Sequence, residues 1–304
     1  MFSMSGYNGE LSHLISVSEP AQVRVPLVFS SPHSGSLYPS DFIKQSHLDR
    51  RVLRKSEDCF IDEIFSVATS IGAPLLRALF PRAYLDLNRE PYELDPEMFA
   101  KPLPDYVNSN SPRVAAGLGT IARIVSSREE IYHSKLDFSE AEQRIERLYK
   151  PYHKNLLFLI NRARDLFGYC ILIDCHSMPS SGLPIAYGKK KKPIDIVLGD
   201  RHGISSAPEI IALIEKCLVE RGYLVTRNNP YAGGFTTQCY GNPENGVHAV
   251  QIEINRRLYM DENSLQRSPG LNKLRRDVAA VMKKLAASSE ESNACLRFQR
   301  QSPE

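Results

Sequence analysis

The sequence predicts an α/β fold, and three observations carry that expectation. Tyr169-Cys-Ile-Leu-Ile-Asp-Cys-His-Ser177 is a short apolar run bounded by Gly168 and a polar turn, the pattern of a strand buried on both faces. Val25-Pro-Leu-Val-Phe-Ser-Ser31 repeats it upstream, and Pro32-His33-Ser34-Gly35 follows at once as a tight turn carrying a histidine. Between and after these runs, apolar residues recur at helical spacing, so strands and helices alternate along the chain. In sheets of this class ligands gather at the carboxyl ends of strands. Asp174 and His176 occupy such an end, two positions apart, and face the same way if the strand geometry continues.

The 304 residues, 42% of them hydrophobic, can bury a full core. One domain over residues 1–290 is expected, with an irregular insertion at about 91–136 and a flexible tail over 291–304. A net charge of +3 argues against a nucleic-acid surface and leaves room for a mildly basic site that takes an acidic small molecule. The first twenty residues lack a secretory layout, and no apolar run approaches the roughly 20 residues of a membrane span, so a cytoplasmic protein without a membrane partner is expected. The six cysteines (Cys59, Cys170, Cys175, Cys217, Cys239 and Cys295) form no C-x-x-C pair and read as buried, reduced thiols.

After the first strand, Phe60, Ile61, Ile64, Phe65, Ala68 and Ile71 predict a helix stopped by Gly72, with Asp58 in its first turn. Ala73 to Leu87 holds two β-type segments broken at Phe80-Pro81, the second running through Asp86 into Asn88-Arg89. Ser139 and Glu142 have the spacing of a capping box, opening a long helix to Gly168 that Pro151 should kink. Tyr149, Tyr152 and His153 on that helix suit packing or hydrogen bonding better than catalysis. Lys189 to Lys192 reads as a solvated loop, and Ile194 to Leu198 as a strand leading to Gly199-Asp200. Ser206-Ala-Pro208-Glu209 caps a helix ending near Gly222, and Tyr223 to Arg227 is again a strand. The Gly233-Gly234 turn lacks the spacing of a phosphate loop. Val247 to Asn255 then alternates apolar residues around Gln251 and Glu253, and Ser268-Pro269 starts a last amphipathic helix.

An isolated histidine at a strand end is commonly a satisfied core group. Two of them, His33 and His176, are the raw material of a zinc site, which when catalytic uses N and O ligands and keeps one position open. The third ligand should be a carboxylate: Asp58 is the candidate, Glu57 its competitor, and helix-start electrostatics an ordinary alternative account of Asp58. Arg82 and Asn88-Arg89 read either as a surface turn or as a planar fork with an adjacent amide suited to an anionic substrate. Glu253, costly to bury among Ala-Val-Gln-Ile and Ile-Asn, either pairs with Arg256 or Arg257, faces water, or serves as general base beside a metal.

Together Pro32-His33-Ser34-Gly35, Arg82 to Arg89, Asp174-Cys-His176-Ser, Leu198-Gly199-Asp200, the Gly233-Gly234 turn and Val247 to Glu262 resemble the N-formylglutamate amidohydrolase (formylglutamate deformylase) family over roughly residues 20 to 285. The resemblance implies a three-layer α/β/α fold of zinc-carboxypeptidase type, with a mixed, mostly parallel central sheet. It implies one Zn2+, or another divalent ion, on His33, Asp58 and His176, with Glu253 catalytic and Arg82 facing the scissile carbonyl. It also implies Asn88 and Arg89 on a substrate carboxylate, and a small anionic N-acyl amino acid as substrate. The carboxypeptidase pattern puts a glutamate three positions after the first histidine, where this chain has Ser36, so the carboxylate ligand comes from elsewhere. A carboxypeptidase-like or other N-acyl amino-acid hydrolase, and a non-catalytic binding protein on the same fold, are the competing expectations.

Overall fold

In the computed structural model, which describes residues 13–125, 128–181 and 193–301 and side chains as far as residue 288, strands and helices alternate as the apolar runs require. The first half contains β1 (Ile15–Ser18), β2 (Leu27–Ser31), the short helices α1 (Ser40–Gln45), α2 (Arg50–Arg54) and α3 (Ile61–Ile64), and β3 (Leu75–Ala78). Helices α4 (Phe138–Arg144) and α5 (Lys150–Phe167) lead into β4 (Cys170–Met178) and β5 (Ile196–Gly199). Then come α6 (Pro208–Val219), β6 (Val225–Arg227), α7 (Phe235–Tyr240), β7 (Val247–Asn255) and α8 (Gly270–Gln301). The Lys189 to Lys192 run lies outside the described residues. Among the described residues, no helix is long and apolar enough to cross a membrane.

Seven strands form one sheet in the order β1-β3-β2-β4-β7-β5-β6. β2 pairs with β4, β4 with β7 and β5 with β6 in parallel, while β5 runs antiparallel to β7. The sheet is therefore mixed and mostly parallel, with helices flanking it, which is the expected fold class. β4 is buried along its whole length and β7 at every position but His248, as strands covered on both faces must be. Apart from His248 near the start of β7, the polar residues of both strands sit toward their carboxyl ends, where the backbone ladder can still be completed while side chains turn to chemistry.

The described residues group into two compact units, one formed by the segment through Ser16 with Ser31–Cys59 and Leu76–Leu156, the other by Val17–Ser30, Phe60–Leu75 and the chain from Leu157 onward. In the second unit Leu271, Leu274, Val278, Val281, Met282 and Leu285 make the buried stripe of α8, which packs on α6 and α3. In the first, Arg144 of α4 is buried with its guanidinium 4.2 Å from the Tyr84 ring centroid and bonded to the Tyr132 hydroxyl. That one cation ties the insertion, which carries Tyr132, to the segment after β3. Among its described residues the segment 91–136 has a turn of helix at Pro112–Ala115 and a 3-10 turn at Pro96–Met98.

Several local expectations are corrected. The helix after Asp58 starts only at Ile61, because Phe60 adopts a left-handed conformation (φ 65°), and beyond Ile64 it tightens into a 3-10 turn over Ser66–Ile71 before Gly72 stops it. Asp58 thus lies outside any helical turn. No strand follows Phe80-Pro81: proline cannot donate to a ladder, and the Asp86 side chain takes the Asn88 N–H at 2.9 Å instead. Ser139 is inside α4 rather than at its cap, which is Asp137. The kink expected at Pro151 appears one turn earlier as a π-helical turn over Ile145–Tyr149, which relieves the clash a proline ring makes with the preceding turn. The N-cap of α6 is Ala207 rather than Ser206.

Candidate metal centre and its surroundings

On β4 and β7, parallel register pairs Asp174 with Gln251 and His176 with Glu253. Residues opposed in register and two apart on each strand share one face, so these four buried polar groups line one side of the sheet at its carboxyl end. The Nε2 atom of His176 lies 3.0 Å from Asp174 Oδ2. Gln251 donates from Nε2 to Glu253 Oε1 at 2.6 Å and accepts at Oε1 from the Gly234 N–H at 2.7 Å. This approach of backbone to strand needs two glycines. Gly199 opposes Gln251 in the β5–β7 ladder, and a Cβ on it would stand 2.7 Å from the Gly233 nitrogen. Gly233 itself takes φ +118°, a conformation that L side chains resist. Of the two arginines weighed as alternative partners of Glu253, Arg257 pairs with Asp195, and Arg256 makes among its bonds one to Ser177 Oγ at 3.1 Å.

Beyond the end of β2, the organising group is Asp86. Its Oδ1 lies 2.8 Å from His33 Nε2 and accepts the Asn88 N–H, while its Oδ2 takes Arg82 Nη2 at 2.7 Å and lies 3.7 Å from Arg89 Nη2. Burial by itself raises the proton affinity of such a carboxylate, but Arg82, Arg89 and His33 outweigh it and hold the Asp86 carboxyl well below its ordinary range. The other His33 nitrogen, Nδ1, lies 3.4 Å from Asp58 Oδ2, and the Asp58 N–H donates to the His33 carbonyl at 2.9 Å. Glu57 turns elsewhere: it accepts from the Tyr38 hydroxyl at 2.7 Å, from Arg54 and from the Cys59 thiol. Of the two adjacent carboxylates, Asp58 is the one grouped with His33 and His176. Arg89 donates to the carbonyls of Leu118 and Asn88, and its own carbonyl accepts the Tyr149 hydroxyl at 2.7 Å. His153 Nε2 is 3.0 Å from the Leu87 carbonyl, so two of the three side chains expected to be structural, Tyr149 and His153, hold the backbone of the Asn88-Arg89 segment.

His33, Asp58 and His176, all buried, each present one ligand atom, and these atoms lie within 4.8 Å of one another. Chain register accounts for this: Ser30 of β2 pairs with Asp174 of β4, and the histidines follow each of them within three residues. Two imidazoles and a carboxylate make an N/O donor set suited to a catalytic zinc site. Each imidazole has its Nε2 beside a carboxylate, Asp86 for His33 and Asp174 for His176, the outer arrangement that fixes ring orientation and leaves Nδ1 to ligate. The group can hold a divalent metal ion. Asp86 and Asp174 are the residues that sequence reasoning left without a role. The i, i+2 spacing signalled Asp174, whereas Asp86 had only its place between two noted arginines. Among the described side chains, Cys59, Cys170, Cys175 and Cys217 are buried and unbridged, burial pushes Cys170 up to about 12, and Cys239 is exposed, against the expectation of a buried thiol.

Comparison with known proteins agrees with this arrangement. The model of the N-formylglutamate amidohydrolase family matches residues 25–260. An N-formylglutamate deformylase of Pseudomonas putida is 30% identical over 244 residues, covering 79% of this chain and 84% of that protein. Its counterpart in Pseudomonas aeruginosa is 29% identical over 252 residues with the same coverage. The crystal structure of an N-formylglutamate amidohydrolase from Ralstonia eutropha JMP134 superposes with a TM-score of 0.85 at 34% identity, covering 91% of this chain and 99% of that one. A strand-end pair of carboxylate-held histidines, a glutamate in register beside one of them, and a family match spanning six of the seven strands lead to one conclusion: the chain belongs to the N-formylglutamate amidohydrolase family.

Proposed function

We propose that this protein hydrolyses N-formyl-L-glutamate to formate and glutamate at a zinc site on His33, Asp58 and His176. The observation that carries the reading is the pairing of His176, one of the buried potential ligands, with Glu253 on the neighbouring strand. The names of the Pseudomonas relatives supply the substrate. A zinc ion, when bound, supplies electrophilic polarisation of the formyl carbonyl and of the attacking water. Glu253 takes a proton from that water as its oxygen bonds to the formyl carbon. As the C–N bond breaks, Glu253 returns the proton to the amine nitrogen, releasing formate and glutamate. Arg82, anchored by Asp86, offers positive charge to the developing oxyanion. Asn88 and Arg89 hold one substrate carboxylate, on a backbone braced by Tyr149 and His153.

The test is metal content and turnover of wild type, His33→Ala, His176→Ala and Glu253→Gln with N-formyl-L-glutamate, N-acetyl and N-succinyl amino acids, and peptides. Wild type should carry one zinc and prefer the formyl substrate; both alanine variants should lose the metal. Glu253→Gln should keep it and lose activity on the order of 10²-fold or more. Full zinc in both alanine variants removes the site; faster turnover of another acyl group or of a peptide reassigns the substrate.

A further inference from the structure

The Gly233-Gly234 turn and Gly199 have no part in the chemistry above, yet the backbone there is held with unusual care. Ala232 accepts the Arg201 N–H through its carbonyl at 2.7 Å. The Gly234 carbonyl accepts the Thr237 hydroxyl at 2.9 Å and the Gln238 N–H at 3.1 Å. A segment pinned at both ends and pressed over the end of β5 by two glycines aims one N–H, that of Gly234, at Gln251.

We infer that Gln251 is a positioning residue for Glu253, with its own orientation set by the Gly234 backbone. The inference rests on the reading of Glu253 as the proton-transferring group. An amide side chain can present either its oxygen or its nitrogen to a neighbour. Because a backbone N–H occupies the oxygen of Gln251, its NH2 must face Glu253, where it donates to Oε1. The reverse orientation would set an amide oxygen against a carboxylate and an NH2 against an N–H, so the relay has one stable arrangement. One carboxylate oxygen, Oε1, is thereby committed to Gln251, which sets the rotation of the carboxylate, and in the proposed reaction Oε2 is the atom that takes the proton from water. A rotation of the carboxylate that exchanged its oxygens would break a buried, charge-assisted hydrogen bond. In this scheme Gln251 has no direct role at the metal or the substrate. It acts through Glu253 alone, and Gly199, Gly233 and Gly234 act through Gln251.

The test compares wild type, Gln251→Met, Glu253→Gln and the double variant for kcat and KM with N-formyl-L-glutamate, zinc content, and the position of the Glu253 carboxylate in crystal structures. Methionine keeps the length and loses both hydrogen bonds; Gln251→Asn, which keeps the amide but falls one methylene short, stands in if the methionine variant does not fold. Either single variant should hold its zinc and KM while kcat drops roughly 10- to 100-fold, the scale expected for a misplaced reacting group. In the double variant the Gln251 substitution should cost nothing beyond Glu253→Gln, because the group it positions is already disabled. A kcat within twofold of wild type, or effects that multiply in the double variant, would overturn the relay. Should wild type itself leave N-formyl-L-glutamate untouched, the reaction assigned above fails, and the relay is judged by the crystal structures: a Glu253 carboxylate unmoved by Gln251→Met refutes it.

Discussion

The Asp86 carboxylate is bonded on both oxygens, to an imidazole and a backbone N–H on one and to guanidinium nitrogen on the other. Its charge therefore serves two masters, the His33 ring and the paired arginines. Asparagine at this position would preserve the shape and the bond to the Asn88 N–H but turn an NH2 toward Arg82 and withdraw the negative charge from His33. Asp86→Asn should weaken zinc binding roughly 10- to 100-fold, the usual scale for losing a carboxylate behind a ligating histidine. Competition with a chromogenic chelator measures it, and an unchanged affinity would mean that Asp86 serves the arginines only. His33, His176 and Glu253 stood out as candidates in the sequence because each is an expensive group set in or beside an apolar run. Asp86 did not, since its partner His33 is 53 positions away and nothing local marks the bond. The choice between Glu57 and Asp58 was likewise invisible, depending on where Tyr38 and Arg54 lie in space.

Among the elements, β2, β4 and β7 could be read directly, for their apolar runs admit no other buried arrangement, whereas helix starts could not. Ser139 and Ser206 have the right chemistry for caps, but tertiary contacts override local preference. At the start of α6 the N–H of the cap residue Ala207 is taken at 3.2 Å by His248 Nδ1 from β7. That bond requires a neutral ring. Burial holds the His248 proton affinity below its ordinary value of 6.5, although Glu209 nearby pulls it upward. With the folded value depressed, the unfolded chain binds the proton first as pH falls, so the contribution is complete above about 6.5 and lost as pH drops through the lower folded value. Asparagine places an acceptor at the δ position without a titrating group. His248→Asn should thus match wild type near neutrality and lose less stability between neutral and acidic pH, as read by urea denaturation along a pH series. Parallel curves for the two proteins would show that the ring does not titrate on unfolding.

At the scale of the molecule, the strand order β4-β7-β5 sets side by side strands that are distant in sequence, and the site depends on their register. His176 meets Glu253 across a parallel ladder; a slip of one residue would send the glutamate to the opposite face. Periodicity could announce each strand but not this pairing, which emerges only when the nine residues of β4 are matched with the nine of β7. The potential ligands at positions 33, 58 and 176 exist as a set only in the folded chain, so an ion bound to them would stabilise the native state by mass action. At a free concentration about 100 times Kd this amounts to about 2.7 kcal/mol. Chelation of zinc should therefore lower the thermal midpoint of wild type by several degrees, with recovery on adding the metal back. The His176→Ala protein starts from its own, different midpoint, so the informative quantity is the change on chelation, which should vanish in it. An equal shift in both proteins would move the stabilising ion to another place on the chain. No shift in either would mean that the three side chains hold their geometry through Asp86, Asp174 and the ladder alone.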